Sequence, residues 1–374
     1  MQRRSVLAQM IGGLGAGLTG GFARMKAATA EAGERDAEWG AEQHAGAWYV
    51  PAEEVPHELT FMQFPVALSV YGDRWFLQQA QATIAEIANT IAEFEPVVML
   101  AAAGDHATAR QLLSDKVTLW DIPTEDLWCR DSGPIVAVDG TGGRAVQHIQ
   151  FNGWGGKQRH RRDGRVAERV AERLGLPLLP TGLVGEAGGV EQDGHGLLCA
   201  HESSWVIGNR NPGMHRDQVE TALLAAYGAE RMIWAPGVKG QDITDYHIDS
   251  LMRFTGPGRG LINLPEEPDF DDPFHVSAFE THDILQAAGV ALEVISEPNV
   301  RRVQSLDFVA SYANYYVCNG AVIAAEFGDR ETDAAAERAL RRLYPGRDVV
   351  MLNVDPLGEL GGGIHCATHE VPSG

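Results

Sequence analysis

The chain repeats one order of elements several times. A helical stretch is followed by an apolar strand, and then by a short polar segment among glycines that leads into the next strand. Five such segments open the stretches RDSGPIVAVDG (130–140), EAGGVEQDGHGLL (186–198), HIDSLMRFTGPGRGLI (247–262), NGAVIAAEFGD (319–329) and GGGIHCATH (361–369). Their spacing is longer than the common solenoid periods and suits a four-element supersecondary unit. If the units close into a ring, we expect their polar residues to meet at one centre.

The elements between these segments alternate in type. Apolar residues at helical spacing predict helices over 74–94, 105–114, 164–175, 216–228, 278–289 and 331–347. Apolar runs predict strands or hairpins over 96–102, 116–123, 144–151, 196–208, 251–264, 316–328 and 348–354. No Pro- or Ser-rich linker divides residues 48–372, so the sequence predicts a single α/β domain there.

The N-terminus has the features of an export signal. Residues 1–30 begin with the pair Arg3 and Arg4, continue with the apolar, glycine-rich run MIGGLGAGLTGGF, and end at Ala-Thr-Ala. A charged start, a short apolar middle and a small-residue site predict a signal peptide, and the arginine pair is typical of twin-arginine export. We therefore expect a periplasmic or secreted protein that uses the twin-arginine export machinery, with a linker over 31–47. No later segment is long enough to predict a membrane span.

Charge and cysteine content narrow the chemistry. The formal net charge of −21 argues against a nucleic-acid partner, because such binding depends on Lys and Arg. Four cysteines, Cys129, Cys199, Cys318 and Cys366, would meet an oxidising compartment after export, and the even count permits two disulfides. Four cysteines in so long a chain are not typical of a disulfide framework, so the sequence leaves the pairing of the first three open.

Five side chains in the repeated segments are candidates for catalysis. Each also has a structural explanation: a gap-filling thiol at Cys366, an interior histidine at His247, a turn cap at Asp131, an ion pair of Asp249 with Arg253, and a solvated Glu186. Together, a thiol, a histidine and several carboxylates are the groups needed to attack a guanidinium. Paired carboxylates orient this planar cation by forked hydrogen bonds, and a thiolate is a suitable nucleophile. His247 and Asp249 alternate on a segment that is predicted to be extended, which would turn both to the same side.

Several strings support this interpretation by their resemblance to a known family. EDLWCRDSGPIVAV (125–138), FNGWGGK (151–157), EAGGVEQDGHG (186–196), IGNRNPG (207–213), TDYHIDSLMRF (244–254) and GGGIHCATHEVP (361–372) resemble, in order, the agmatine deiminase and bacterial-type peptidylarginine deiminase family. The resemblance implies a five-bladed pseudo-symmetric α/β propeller, the pentein fold, with neither a metal nor an organic cofactor.

The resemblance also implies roles for individual residues. Cys366 would be the nucleophile that forms an amidino-cysteine intermediate, and His247 the general acid and base. Asp249 and Asp131 would hold the guanidinium nitrogens. Four further residues would lie at the substrate: Glu186, Trp128, Asp245 and Gly362.

The chain departs from the family pattern at a few positions. Phe61 and Phe64 replace tryptophans, which predicts a different pocket rim. Tyr246 stands where a glycine usually precedes the histidine, Ala187 replaces a glycine, and Gly363 replaces an asparagine. None of these changes removes a reacting group.

The substrate has two leading candidates. One is the small dication agmatine, hydrolysed to N-carbamoylputrescine and ammonia. The other is arginine within exported peptides or proteins. A third hypothesis, a secreted metal-dependent hydrolase or binding protein that uses His247, Asp249, His365 and Cys366, is weaker because no histidine pair has zinc-site spacing. The oligomeric state is left open.

Overall fold

The computed structural model describes residues 47–305 and 308–373. The predicted signal peptide (1–30) and all but the last residue of the predicted linker lie outside the described residues. The strands are β1 His57–Gln63, β2 Val97–Ala101, β3 Val117–Asp121, β4 Ile135–Val138, β5 Arg144–Gln150, β6 Leu178–Val184, β7 Val190–Gln192, β8 Leu197–His201, β9 Arg231–Ala235, β10 Met252–Gly256, β11 Arg259–Leu264, β12 Ala291–Ser296, β13 Tyr316–Cys318, β14 Ala321–Glu326, β15 Asp348–Asn353 and β16 Thr368–Pro372. The α-helices are α1 Leu68–Tyr71, α2 Arg74–Ile91, α3 His106–Ala109, α4 Cys129–Ser132, α5 Val166–Leu174, α6 Glu202–Trp205, α7 Arg216–Tyr227, α8 Pro273–Ala287, α9 Arg330–Leu343, α10 Asp355–Glu359 and α11 Ile364–Ala367.

The strands form five small sheets over the described ranges, in the orders β16-β1-β2-β3, β4-β5-β6, β7-β8-β9, β10-β11-β12 and β13-β14-β15. In each sheet the first pair is antiparallel and the next is parallel, as in β4-β5 and β5-β6. A helix crosses over each parallel pair, because parallel strands need a long connection. The C-terminal strand β16 pairs with β1, so the last segment of the chain completes the first sheet. The α/β prediction and the repeated unit are confirmed.

Aspartates fix the start of three long helices. Asp73, Asp272 and Asp329 accept hydrogen bonds from backbone N–H groups in the first turns of α2, α8 and α9. Proline at the first position of α8 explains why this helix begins at 273 and not at the predicted 278. Left-handed Gly175 and Gly228 end α5 and α7. The predicted helix over 105–114 was too long: a 3₁₀ turn, Ala103–Asp105, leads into the single turn α3.

In each repeated unit, polar side chains lie immediately before the first strand of the sheet. Short segments precede β4, β7, β10, β13 and β16, and they present Asp131, Glu186, His247 with Asp249, Asn314 and Cys366. The sequence predicts that the fourth segment begins at Asn319, which is one strand too late, because the structure has this segment before β13, at Asn314. Asn319 lies in the turn between β13 and β14 and bonds to His57 and Glu95, away from the other segments.

The structure corrects one prediction about buried residues and answers the open question about the cysteines. Phe61 and Phe64 are fully buried in two different hydrophobic clusters, so they do not shape the pocket rim as predicted. The four cysteines are all free thiols, and Cys129, Cys199 and Cys318 are buried. Within the described residues, no helix combines the length and the apolar character needed to cross a membrane.

Candidate active site

The repeated segments converge on one pocket. It is lined by Trp128, Asp131, Trp154, Asp242, Ile243, Thr244, His247, Asp249, Ser250, Val309, Leu360, Gly361, Gly362 and Cys366. Of the eight residues that the sequence placed in the site, six line this pocket, and Glu186 and Asp245 lie behind it. The ring of units therefore explains why a thiol close to the end of the chain sits beside residues from its middle.

Cys366 lies in the one-turn helix α11, where the last unit begins. Its Sγ accepts a hydrogen bond from Asn314 Nδ2 at 3.2 Å and lies 3.5 Å from Asp249 Oδ2. Its backbone N–H donates to Asn314 Oδ1 at 3.3 Å, so one asparagine holds both ends of the residue. Burial raises the pKa of the thiol well above its ordinary value, and the charges of Asp249 and Asp131 add to this effect. These effects favour the neutral thiol over the thiolate.

The two carboxylate oxygens of Asp249 differ in their hydrogen bonding. Oδ2 accepts from His365 Nδ1 at 2.7 Å and faces the thiol. Oδ1 is buried and has no hydrogen-bond partner among the described residues. The hydrogen bond and the charge of His365 help to keep the pKa of Asp249 below its usual value although burial opposes this. A buried, ionised oxygen without a donor is costly unless a cation binds there.

Asp131 is the second pocket carboxylate. Its Oδ2 accepts from Trp154 Nε1 at 2.9 Å and its Oδ1 from the backbone N–H of Gly188 at 3.3 Å. Trp154 lies later in the same unit and Gly188 in the next one, so the carboxylate does not cap its own turn. Burial raises the pKa of Asp131 to about 6; His247 opposes the shift, and the neighbouring carboxylates Glu186 and Asp249 add to it.

His247 lies between carboxylates. Its Nε2 is 3.3 Å from Glu186 Oε2, and its Nδ1 is 3.7 Å from Asp131 Oδ1. Although burial opposes protonation, Asp131 and Glu186 raise the pKa of His247 to about 9. Near neutral pH the ring is therefore an imidazolium, the form that can donate a proton to a leaving group.

Glu186 and Asp245 act behind the pocket, in contrast to their predicted contact with the substrate. Arg210, whose side chain is fully buried, donates from Nε to Glu186 Oε2 at 2.8 Å and from Nη1 to Asp245 Oδ2 at 2.7 Å. Asp245 also pairs with Lys157 at 2.7 Å and accepts from the N–H of Gly240. Both carboxylate oxygens of Asp245 thus have hydrogen-bond partners, and these contacts fix the segment that carries His247.

The segment before His247 has an unusual backbone. It was predicted to be extended, but His247 leads into the 3₁₀ turn Ile248–Ser250, and Asp245 and Tyr246 have positive φ angles of 60° and 66°. Such angles are strained for residues other than glycine, which is what the family pattern has at 246. The ring of Tyr246 stacks on His201 at 4.7 Å, and its N–H donates to Asp242 Oδ1 at 3.0 Å. Burial of this ring holds the strained turn that aims His247.

Glycines leave room for the converging groups. A Cβ on Gly188 would lie 2.8 Å from Asp131 Oδ1, 2.9 Å from His247 Nδ1 and 3.0 Å from Asp249 Oδ2. A Cβ on Gly362 would lie 2.6 Å from the ring of Trp128. Gly362 therefore lets this tryptophan close one wall of the pocket.

The crowding at Gly188 gives a stability prediction. We expect Gly188→Ala to lower the free energy of unfolding by about 1–3 kcal/mol, since the added methyl group must displace three buried polar groups. Urea unfolding measures the change. Gly208→Ala is the matched control, because a Cβ there meets nothing within 4 Å. Equal stability of the two variants would contradict the geometry.

Three site residues were not singled out from the sequence. Asn314 was missed because the fourth unit was aligned with Asn319. Trp154 and Arg210 stand in the strings FNGWGGK and IGNRNPG, but Arg210 is 24 and 35 positions from its two acidic partners. The glycines around Trp154 are the one local signal, since residues 153–156 all have positive φ and form a left-handed turn.

The metal-site hypothesis gains no support from the arrangement of donors. Throughout the described ranges, no group of three or more His, Cys, Asp and Glu side chains is arranged to hold a metal ion. Asp249 lies at hydrogen-bond distance from both His365 and Cys366, and His365 is turned toward Asp249 and Glu53.

Comparison with known proteins agrees with this geometry. The family profile described as Porphyromonas-type peptidyl-arginine deiminase matches residues 49–372. A Streptomyces coelicolor protein that has only the provisional name agmatine deiminase is 35% identical over 336 residues, which cover 86% of this chain and 98% of that protein. The agmatine deiminase of Stutzerimonas stutzeri is 33% identical and covers 87% of this chain and 96% of its own length. The solved agmatine deiminase of Enterococcus faecalis shares the fold, with a TM-score of 0.78, 22% identity, and coverage of 87% and 96%.

Proposed function

The chain belongs to the agmatine deiminase and Porphyromonas-type peptidyl-arginine deiminase family of pentein-fold proteins, and we propose that it hydrolyses agmatine to N-carbamoylputrescine and ammonia. This makes it a hydrolase of the C–N bonds of linear amidines. The observation that carries the proposal is that Asp249, whose buried Oδ1 has no partner among the described residues, lines the same pocket as Asp131 and Cys366. A guanidinium supplies donors to both carboxylates and brings its carbon to the thiol.

Binding of the guanidinium cation favours the thiolate form of Cys366. By neutralising the carboxylates that hold the Cys366 pKa high, bound guanidinium lets the thiol lose its proton to solvent. The thiolate attacks the guanidinium carbon, and the imidazolium of His247 protonates the departing amine, which leaves as ammonia. The product is a substituted amidino-cysteine with one C–S bond.

Water then restores the enzyme. Neutral His247 takes a proton from a water molecule, and the resulting hydroxide adds to the amidino carbon. The C–S bond breaks, the electron pair returns to sulfur, and one proton leaves to solvent as the urea product forms. Each step uses groups that the pocket holds within a few ångströms.

The shape of the pocket favours a small linear substrate over a polypeptide. Trp128, Trp154 and His247 are 8%, 3% and 3% exposed, and the cavity volume is about 40 Å³. Sites for drug-sized ligands are roughly 300–1,000 Å³. Beyond the reacting groups, the walls include Ile243 and Leu360, which suit a methylene chain. Peptidylarginine is the second candidate, because the family profile bears that activity in its name.

We propose that Asp242 binds the far end of agmatine. Three acidic side chains line the pocket, and Asp242 is the one that remains besides Asp131 and Asp249. Its Oδ1 accepts from Thr244 Oγ1 and from the N–H of Tyr246, both at 3.0 Å. An asparagine keeps this acceptor oxygen but removes the charge that attracts an ammonium group.

We therefore expect Asp242→Asn to lower kcat/KM for agmatine about tenfold, as for a partly exposed ion pair, and to leave that for butylguanidine unchanged. Butylguanidine has the same carbon chain without the ammonium, so it reports on the reaction centre alone. Asp283→Asn, at a highly exposed aspartate, is the matched control. Equal losses on both substrates would remove Asp242 from distal recognition.

The shifted pKa values of Asp131 and His247, both close to the thiol, set a pH window. Asp131 must be ionised to hold the guanidinium, so kcat/KM should fall as the pH drops below about 6. His247 must be protonated to release ammonia, so kcat, which reports on the substrate complex in which the thiol has already lost its proton, should fall as the pH rises above about 9. We expect the acid limb in kcat/KM and the basic limb in kcat when both are measured in a steady-state assay. A kcat that still rises above pH 10 would contradict the role of the imidazolium.

Ammonia release from residues 31–374 tests the proposal, with agmatine, free arginine and an arginine-containing peptide offered in parallel. We expect agmatine to have the highest kcat/KM. Preference for the peptide would establish the second candidate, and no release from any of the three would refute deimination of these substrates.

We also propose that the chain is exported, on the strength of the arginine pair and the apolar run in residues 1–30. N-terminal sequencing of the protein from the periplasm and medium tests this. A chain that is found with its first 30 residues intact in the cytoplasm alone would contradict it.

A further inference from the structure

A layer of buried charge lies directly behind the reacting pocket. Three carboxylates, Glu53, Glu191 and Glu370, meet two guanidinium groups. Arg130 is 2.8 Å from Glu53 and 2.9 Å from Glu370. Arg253 is 3.0 Å from Glu53 and 2.8 Å from Glu191. All five residues line a second cavity of about 40 Å³.

His365 connects this layer to the pocket. Its Nδ1 is 2.7 Å from Asp249 Oδ2, and its Nε2 is 3.1 Å from Glu53 Oε2. The residue is 3% exposed and lines the second cavity, whereas its partner Asp249 lines the first. The ring therefore forms part of the wall between the two cavities.

The geometry requires a donor at each ring nitrogen. Both nitrogens face carboxylate oxygens, which are acceptors when ionised, and both are donors only in the imidazolium. With His365 as an imidazolium, three cations face four carboxylates, namely Asp249 and the three of the layer. Removing a partner from such a buried set leaves an uncompensated charge.

The orientation of Asp249 follows from this contact. Oδ2 is committed to His365, so Oδ1 is the oxygen left for the substrate. Bound at two opposite sides, the ring cannot turn to reach a leaving group without breaking both contacts. Proton transfer is thus left to His247.

We propose that His365 is a positioning residue: an imidazolium fixed by Glu53 that holds Asp249 ionised and turns its free oxygen toward the guanidinium. This inference rests on the proposed function. It adds a role for the residue next to the nucleophile, which the sequence had offered only as a metal ligand.

Two amide substitutions separate the two contacts. The amide nitrogen of asparagine reaches the place of Nδ1, so His365→Asn keeps the donor to Asp249 and loses the one to Glu53. The longer glutamine reaches the place of Nε2, so His365→Gln keeps the donor to Glu53 and loses the one to Asp249. The two variants share the loss of the ring and its charge, so each is the control for the other.

We expect His365→Gln to weaken agmatine binding roughly 10- to 100-fold in the Cys366→Ser background, since it loses a hydrogen bond to a charged group. His365→Asn, which loses the charge and the contact with Glu53 but keeps the donor to Asp249, should weaken binding clearly less than the glutamine variant does. In enzymes with Cys366, the acid limb of kcat/KM should move to higher pH in the glutamine variant, because the pKa of buried Asp249 is no longer lowered by this bond and its titration then adds to that of Asp131. The titratable and charged groups around the ring are Asp249, Glu53, Glu54, Arg130, Arg253, Glu191, His369 and Glu370.

Equal losses in both variants with an unmoved acid limb would reduce His365 to a structural part and overturn the proposal. A measurement without turnover keeps the inference separate from the function. In protein labelled with ¹⁵N-histidine, the His365 signal, identified by its loss in His365→Asn, should show both ring nitrogens protonated at pH 7. A singly protonated ring would overturn the proposal even in an active enzyme, whereas an inactive wild type with a doubly protonated ring would refute only the function.

Discussion

Replacing Cys366 by alanine is expected to abolish turnover of every guanidine substrate, and replacing it by serine to do nearly the same. The thiol forms and breaks the only covalent bond to substrate in the proposed reaction, and a serine hydroxyl at this site has no neighbouring base, since His247 is protonated. Guanidinium binding should persist in the serine variant, because Asp131 and Asp249 remain. Calorimetry with agmatine measures this binding, and ammonia release measures the lost rate.

The chain offers its own control for thiol chemistry. Cys199 is fully buried in the strand β8 and does not line the pocket. Cys199→Ala should therefore keep turnover per folded molecule. Turnover retained in Cys366→Ala, or lost equally in both variants, would remove Cys366 from its assigned role.

The second large effect is expected for Asp249→Asn. The substitution keeps the shape of the side chain but leaves the guanidinium and the His365 imidazolium facing a neutral group in a buried pocket. Loss of one member of a buried charge set costs about 3–5 kcal/mol, which corresponds to a loss in kcat/KM of more than 100-fold. Binding and rate should fall together, because the carboxylate contacts the cation in every state of the reaction.

Steady-state kinetics with agmatine measures this loss, and the exposed Asp283→Asn variant controls for the chemical change itself. Normal Michaelis parameters in Asp249→Asn would take the residue out of the site. A loss confined to stability, with kcat/KM per folded molecule unchanged, would make the carboxylate structural.

The sequence predicted the repeated unit and most of the pocket because both depend on local patterns. Helical spacing, apolar runs and polar residues among glycines recur within each unit, so the segments that carry Asp131, His247, Asp249 and Cys366 could be recognised one at a time. The ring then follows from repetition. The error at Asn319 shows the limit of such reasoning, because the strand β13 that precedes it has only three residues and is easily misaligned.

Partners that are distant in the chain could not be predicted. Glu186 and Asp245 differ from Asp131 and Asp249 only in that Arg210 reaches the first two. The sequence gives no sign of this contact. Likewise, nothing local shows that Tyr246 tolerates a positive φ; that depends on the ring of His201 against which it packs.

The most direct test of the account is a rapid-quench experiment on the intact protein with agmatine, followed by mass spectrometry. His247→Ala should slow hydrolysis of the covalent state, so its trapped fraction should exceed that of the wild type. The account predicts one adduct with the mass of agmatine less ammonia, located on the peptide that contains Cys366 and absent from Cys366→Ala. If the wild type forms ammonia but neither the wild type nor His247→Ala carries an adduct on Cys366, covalent catalysis by this thiol is contradicted.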